Sequence, residues 1–235
     1  MSLVASFHRL TTAICLVLWA VLAAVFVVTV PAADYTSPDH LAAIAAAGTA
    51  ATISAYAFLG AQAALTVGLV GVAQLLRHRA PVLGLVAVAL LIVGAFTHAM
   101  NVGIMFTTNA AASTPAAQTE SFAEGFAAAL AATYDGPMLP LVALGMLGLV
   151  LGTVLLAAAV FRSRLGAWWI GVALLLWVVA EFGLSGMGVW ASVASGGLLF
   201  AAFGGLAAVV LRSDLRDWMT ASEVEAPQHD LAPTA

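Results

Sequence analysis

The chain of 235 residues has no lysine, one cysteine, and charged side chains at only 8% of its positions. So little charge cannot clothe a soluble globule of this length, and with 63% hydrophobic residues the solvent for most of the chain must be lipid. The single thiol, Cys15, allows neither an internal disulfide nor a cysteine-based metal site and reads as a small buried hydrophobe. Without lysine there is no retinal Schiff base. No Walker-type glycine loop is present and the arginine-bearing turns are too short to hold a nucleotide-binding domain, so any energy coupling needs a gradient or another subunit. The net charge of −4 comes largely from an acidic tail after Arg216, and no basic patch is large enough for nucleic acid. Arginine without lysine in an alanine-rich background is the codon usage of a high-GC bacterial genome and carries no chemistry.

What the chain does have is a succession of apolar runs. Segments of about 20 residues or more, enough for a bilayer, occupy 10–30, 52–76, 81–106, 138–161, 167–186 and 189–211. The first follows Arg9 and precedes Val30-Pro31-Ala32, as a signal peptide would. Its apolar core exceeds the roughly 7–15 residues of a cleaved signal, so it reads as a retained span. With six crossings, Arg9, Arg77, Arg79, Arg162, Arg164, Arg212 and Arg216 fall on one side, and Asp34, Asp39, Glu120, Glu124 and Asp135 fall on the other. The positive-inside rule then puts the arginine side and both termini in the cytoplasm of a bacterial plasma membrane. Five or seven crossings would scatter the arginines over both faces.

The two longer outer connections carry helix signals. Ser37-Pro38-Asp39 offers an N-cap, a proline at the first helical position and an acidic first turn before the alanine-rich run from His40 to Ala47. Ser121-Phe122-Ala123-Glu124 is a capping box, followed by Phe122, Phe126, Leu130 and Tyr134 at every fourth position up to Gly136-Pro137. The second pattern predicts an amphipathic helix on the outer membrane surface. In the alternative, each is only the first turns of a long tilted span.

Superposing Arg77-His78-Arg79 on Arg162-Ser163-Arg164 shifts the chain by 85 residues and brings outer helix, inward span and outward span into register twice, with Gly60 meeting Gly145. This is the pattern of a parallel internal repeat. Gly148 and Gly152 form a GxxxG pair, and Gly60, Ala64 and Gly68 share that spacing. The last run carries Ser192, Gly196, Gly197, Gly204 and Gly205. Small faces let helices approach where lipid supplies no hydrophobic drive, which predicts that the second, fourth and sixth spans are central. Trp168 and Trp169 beside the arginines, and Trp190 near the outer boundary, fit interfacial belts, and Trp19 and Trp177 are further large amphipathic side chains.

Two ionisable residues fall inside the apolar runs, and a charge in hydrocarbon is costly enough to make each a functional candidate. At about 1.5 Å per residue, His98 lies roughly 25 Å from Pro81, and Glu181 roughly 22 Å from Gly166, both in the outer leaflet. With Asn101, Tyr134, Asp135 and Ser185 they define a candidate outward-opening polar pocket shared by the third, fourth and fifth spans, roofed by the capped amphipathic helix. A directly bonded His98–Glu181 pair that only ties two helices together would produce the same sequence. Motifs such as H-E-x-x-H and G-x-S-x-G are absent, which weakens an enzyme reading and leaves His98 and Glu181 as its sole acid–base pair. His98 with Met100 and Met187 is a soft-ligand set suited to copper(I), though methionine is also ordinary filler. Only His98 has the depth of a haem ligand, so no cofactor is expected.

Two stretches carry a resemblance: Asp34 to Ile44 with the later Gln74-Leu75-Leu76-Arg77-His78-Arg79, and Phe161-Arg162-Ser163-Arg164-Leu165-Gly166-Ala167-Trp168. They resemble small uncharacterised multi-pass membrane proteins of high-GC bacteria, grouped only as domains of unknown function. The resemblance covers most of residues 10–216, implies the topology already described, and brings no activity or catalytic residue.

The expected architecture is an all-α integral membrane bundle of six transmembrane helices over residues 1–216, with two short extracytoplasmic helices and a disordered acidic tail over 217–235. The leading function is binding or transport of a small molecule or lipid through the polar pocket. The alternatives are an accessory subunit, packing against another membrane protein through glycine-rich faces, and a membrane-embedded enzyme.

Overall fold

Glycine and proline set the corners of the chain. The computed structural model describes residues 3–31, 34–184, 187 and 189–219, and every regular element among them is helical. In order these are α1 (Leu3–Thr29), α2 (Asp39–Ala47), α3 (Thr49–Leu76), α4 (Pro81–Ala112), a 3₁₀ turn (Pro115–Gln118), α5 (Glu120–Asp135), α6 (Leu139–Ser163), α7 (Trp168–Val178) with a π-helical continuation (Val179–Gly183), α8 (Val189–Arg212) and a last 3₁₀ turn (Leu215–Trp218). Helices α1, α3, α4, α6 and α8 are long and apolar enough to cross a membrane. The apolar helix Trp168–Gly183 is shorter. At about 1.5 Å per residue it reaches roughly 24 Å, less than a hydrocarbon core of about 30 Å. Five of the six expected spans are therefore helices of full bilayer length.

The helices neighbour one another in chain order: α1 packs on α3, α3 on α4, α4 on α6, α6 on α7 and α7 on α8, and α8 returns to α1. This closes a ring, so the expected central placement of the second, fourth and sixth spans is not what forms. Small residues of α3 and α6, and Gly205 of α8, serve instead as contacts between ring neighbours, whereas Gly196, Gly197 and Gly204 of α8 face open space. A Cβ on Gly148 would lie 2.7 Å from the Leu90 carbonyl oxygen and 3.0 Å from the Gly94 nitrogen, so α4 and α6 cross almost backbone to backbone. Gly68 and Gly71 give room in the same way to Leu16 and Thr12 of α1.

One end of the ring gathers the arginines. Arg9 donates from Nη1 to the Ser213 carbonyl at 3.1 Å, and Arg77 donates to the carbonyl of Met219 at 3.2 Å. Helices α3, α6 and α8 end here, so their partly negative C-termini face arginine side chains. Arg164 takes a left-handed conformation (φ 51°) as Leu165 N–H closes on the Val160 carbonyl. The last 3₁₀ turn packs on α1 and α3 at this end, where buried Trp218 donates Nε1–H to Ser213 Oγ at 2.7 Å. Ordered structure thus runs past 217, where the tail was expected to begin, to Met219. Residues 220–235 lie outside the described residues.

At the other end α4 continues to Ala112 rather than stopping near 106, and the overhang supports a second small core of Leu41, Ile44, Ala51, Ala112 and Ala117 with Phe126 against it. Helix α2 starts as expected, with Asp39 N–H donating to Ser37 Oγ at 3.2 Å, and stops at Gly48 (φ 54°). Helix α5 forms too, but it starts at Glu120, so Ser121 lies inside it and the expected capping box is not made. Part of its apolar stripe, Leu130 and Phe126, packs against protein. The element order short helix, long helix, arginine turn, apolar helix occurs twice, as the repeat requires, although α7 is far shorter than α4.

Candidate functional site

A ring of helices leaves an axis to fill. Towards the arginine end it is filled by fully buried side chains, among them Leu16, Leu69, Leu156, Leu174, Phe203 and Leu206. Towards the α2/α5 end it is not. A cavity of about 750 Å³ opens there, above the aromatic group in which Trp19 meets Phe203 at 4.0 Å and Trp177 at 5.8 Å, both edge to face. Trp19 and Trp177 are buried in this group. Trp168, Trp169 and Trp190 are exposed, as expected.

The cavity walls come mainly from α1, α3 and α8. Helix α4 contributes His98, α6 contributes Leu149, and α7 with its π turn contributes Trp177, Glu181 and Phe182. His98 and Glu181 therefore share one cavity, in the half of the bundle away from the arginines. They are not hydrogen bonded to each other, so the expected helix-locking pair is not formed. The His98 Nδ1 donates to the Gly94 carbonyl at 3.1 Å, one turn back, which leaves Nε2 without a hydrogen-bond partner among the described residues. Glu181 accepts a hydrogen bond from the Ser195 hydroxyl. It sits in the π-helical turn, exposed at the cavity rim rather than deep in a span. A π turn at such a place is itself informative, since these widened turns concentrate at functional sites.

Two further polar residues complete the wall. Gln62 is 8% exposed, lines the cavity, and holds a buried Oε1 with no hydrogen-bond partner. A buried amide acceptor left unpaired costs about 1–3 kcal/mol, so Gln62 is a polar group the fold itself does not satisfy. Ser192 lies on α8, one helical turn before Gly196. Reading only ionisable residues inside apolar runs finds His98 and Glu181 and misses Gln62 and Ser195. The signal that finds them is an uncharged polar side chain at mid-helix, which lipid disfavours as well.

The remaining candidates lie elsewhere. Tyr134 O–H donates to Asn101 Oδ1 over a long 3.4 Å, and its ring packs on Tyr35 at 4.5 Å. Burial, and secondarily Tyr35, raise the Tyr134 phenol above its ordinary pKa. Neither Asn101 nor Tyr134 lines the large cavity, and Asp135 is exposed at the end of α5. No α5 residue covers the cavity. The helix lines a separate hollow of about 260 Å³ with Gly103, Ile104, Thr107 and Thr108 of α4, so it is not the expected lid. Met100 and Met187 are exposed and do not join His98 in the cavity wall. Ser185 lies outside the described residues.

No known protein family matches the chain, and no significant similarity to a curated protein or to a solved structure is found. The resemblance carried by the arginine turns and small-residue helices adds nothing to the functional argument, which rests on the cavity.

Proposed function

We propose that the chain is a six-span protein of a bacterial plasma membrane, with both termini and the arginine turns in the cytoplasm, that binds a small amphiphilic molecule in the cavity from the outer side. The topology is supported by the gathering of the arginines at one end of the ring, which the positive-inside rule assigns to the cytoplasm. It is also supported by the place of α7 between α6 and α8, which makes the short helix a sixth crossing that thins the wall locally. On this reading α2 and α5 are extracytoplasmic. A cysteine placed at His78 in a Cys15→Ser background then reacts with an impermeant maleimide only after the cells are opened. Reaction in intact cells would reverse the topology.

The observation that carries the binding reading is the cavity itself. It has the volume of a small-molecule site, and His98, Glu181, Ser195 and Gln62 converge on it from four elements. Its closed floor in this conformation favours a binding protein, or one state of a transporter, over an open pore. Gly68, Gly148 and Gly152 are used in contacts inside the chain, whereas Gly196, Gly197 and Gly204 leave an open small-residue face on α8, which is what an accessory subunit packing on another membrane protein would use. The test is native mass spectrometry of the chain purified in mild detergent. A small molecule or lipid should co-purify and be lost in the double variant His98→Ala/Gln62→Ala. An unliganded chain that also fails to take up any amphiphile from a membrane extract would sink the proposal.

A further inference from the structure

The rim and the polar wall of the cavity narrow its ligand class, given the binding reading above. Among the described residues, the one acidic side chain on the cavity wall is Glu181, with His98, Gln62, Ser192 and Ser195 as its polar neighbours on that wall. Neither lysine nor arginine lines the cavity, and the arginines lie at the opposite end of the ring. An anionic headgroup would find no countercharge. The remaining wall is aromatic and aliphatic, with Trp19, Phe26, Phe58, Trp177 and Phe182 presenting ring surface. A carboxylate set among aromatic rings is the environment that attracts an organic cation, by charge at one point and by ring quadrupoles around it.

The rim shows how such a ligand arrives. Val27 and Val28 of α1 and Val193, Gly197 and Phe200 of α8 both line the cavity and face outward. These two helices meet at Trp19 and Phe203, and nearer the α2/α5 end residues of both line the cavity, with open space beside Gly196 and Gly197 of α8. On the topology proposed above, Val27, Val28 and Val193 face lipid at this edge of the cavity.

We infer that the cavity takes a lipophilic cation, an ammonium or comparable centre on an apolar body, which passes from the membrane between α1 and α8 and pairs with Glu181. Its cationic centre sits against Glu181, and the apolar body lies along the aromatic wall. A free organic cation and the amine headgroup of a membrane lipid share this chemistry.

The test uses two probes of matched size and opposite charge, tetraphenylphosphonium and tetraphenylborate, with saturable binding to the full chain followed by tryptophan fluorescence. The phosphonium should bind at least about tenfold more tightly than the borate, a difference of about 1.4 kcal/mol. Glu181→Gln should remove that preference while melting temperature and circular dichroism stay unchanged. Gly197→Trp, at a position with nothing within 4 Å of an added Cβ, should slow or block phosphonium binding without loss of fold. In nanodiscs, weaker phosphonium binding when phosphatidylethanolamine is present would identify the lipid headgroup as the native occupant, and unchanged binding would identify a free cation. Equal binding of the two ions, or a preference for the borate, overturns the cation assignment and leaves the cavity reading standing. Saturable binding by neither ion, with no co-purifying molecule, removes the cavity reading as well.

Discussion

The ring of Trp19 meets that of Phe203 edge to face at 4.0 Å, and this contact between the first and last long helices is the floor on which the cavity rests. Below it the axis is packed with leucine, and above it the axis is open. One aromatic pair thus joins the seam of the ring to the shape of the site.

Phe203 is fully buried, so Phe203→Ala should destabilise the chain by about 3–5 kcal/mol through lost burial and the void left behind. The variant should also deepen the cavity. Unfolding in mixed micelles measures the first effect, and uptake of a longer amphiphile measures the second. A loss under about 1 kcal/mol would mean that the floor is not close-packed.

The α4–α6 crossing makes a sharper comparison. Gly148→Leu sets a side chain where even a Cβ meets the Leu90 carbonyl at 2.7 Å, so the helices must separate. A loss of several-fold or more in monodisperse yield is expected. Gly103→Leu, in open space on α4, should leave yield unchanged. Equal yields for the two would show that the crossing is looser than described.

Gln62 separates stability from binding. Replacing its unpartnered amide by an apolar group of similar size, Gln62→Leu, should leave stability unchanged or raise it by about 1 kcal/mol, and should weaken binding of a long-chain primary ammonium ion, which carries N–H donors, severalfold. That combination marks a group kept for its ligand rather than for the fold. A destabilised variant with unaltered binding would argue the reverse.

The connection before α2 carries a pH signature. Asp34 accepts from the Thr36 N–H at 2.9 Å and its hydroxyl at 2.8 Å, and these two bonds hold its carboxyl below the ordinary range. The lowered pKa means that the turn supports the fold above the unfolded pKa and loses that support as pH falls through the folded value. Thr36→Val should shift the Asp34 titration upward, as followed by carboxyl carbon NMR. No shift would show that the hydroxyl contributes nothing.

Much of this fold is legible in the chain because its signals are local. Apolar length marks the spans, and each arginine cluster marks a turn. Ser37-Pro38-Asp39 starts α2 where its capping chemistry says it should. The limits of that reading are also physical. Periodicity does not say which long helices touch, so the ring and the burial of Trp19 and Trp177 came only with the tertiary contacts. The run through 167–186 is apolar throughout, and hydropathy does not register that its last turn widens into a π helix and ends at Gly183. His98 and Glu181 could be picked because ionisable side chains are rare in lipid. Asn101, Tyr134 and Asp135 were grouped with them by depth alone, and depth leaves the direction around the helix axis open.

Because α8 is the neighbour of α1, the barrel of helices has its first and last staves side by side. During synthesis α1 is in the bilayer long before its partner exists, and its Trp19 face must be held by lipid or by a chaperone until Phe203 is made. The wall closes only when the final stave arrives. A chain cut before α8 would therefore retain its other five staves and still have no enclosed interior.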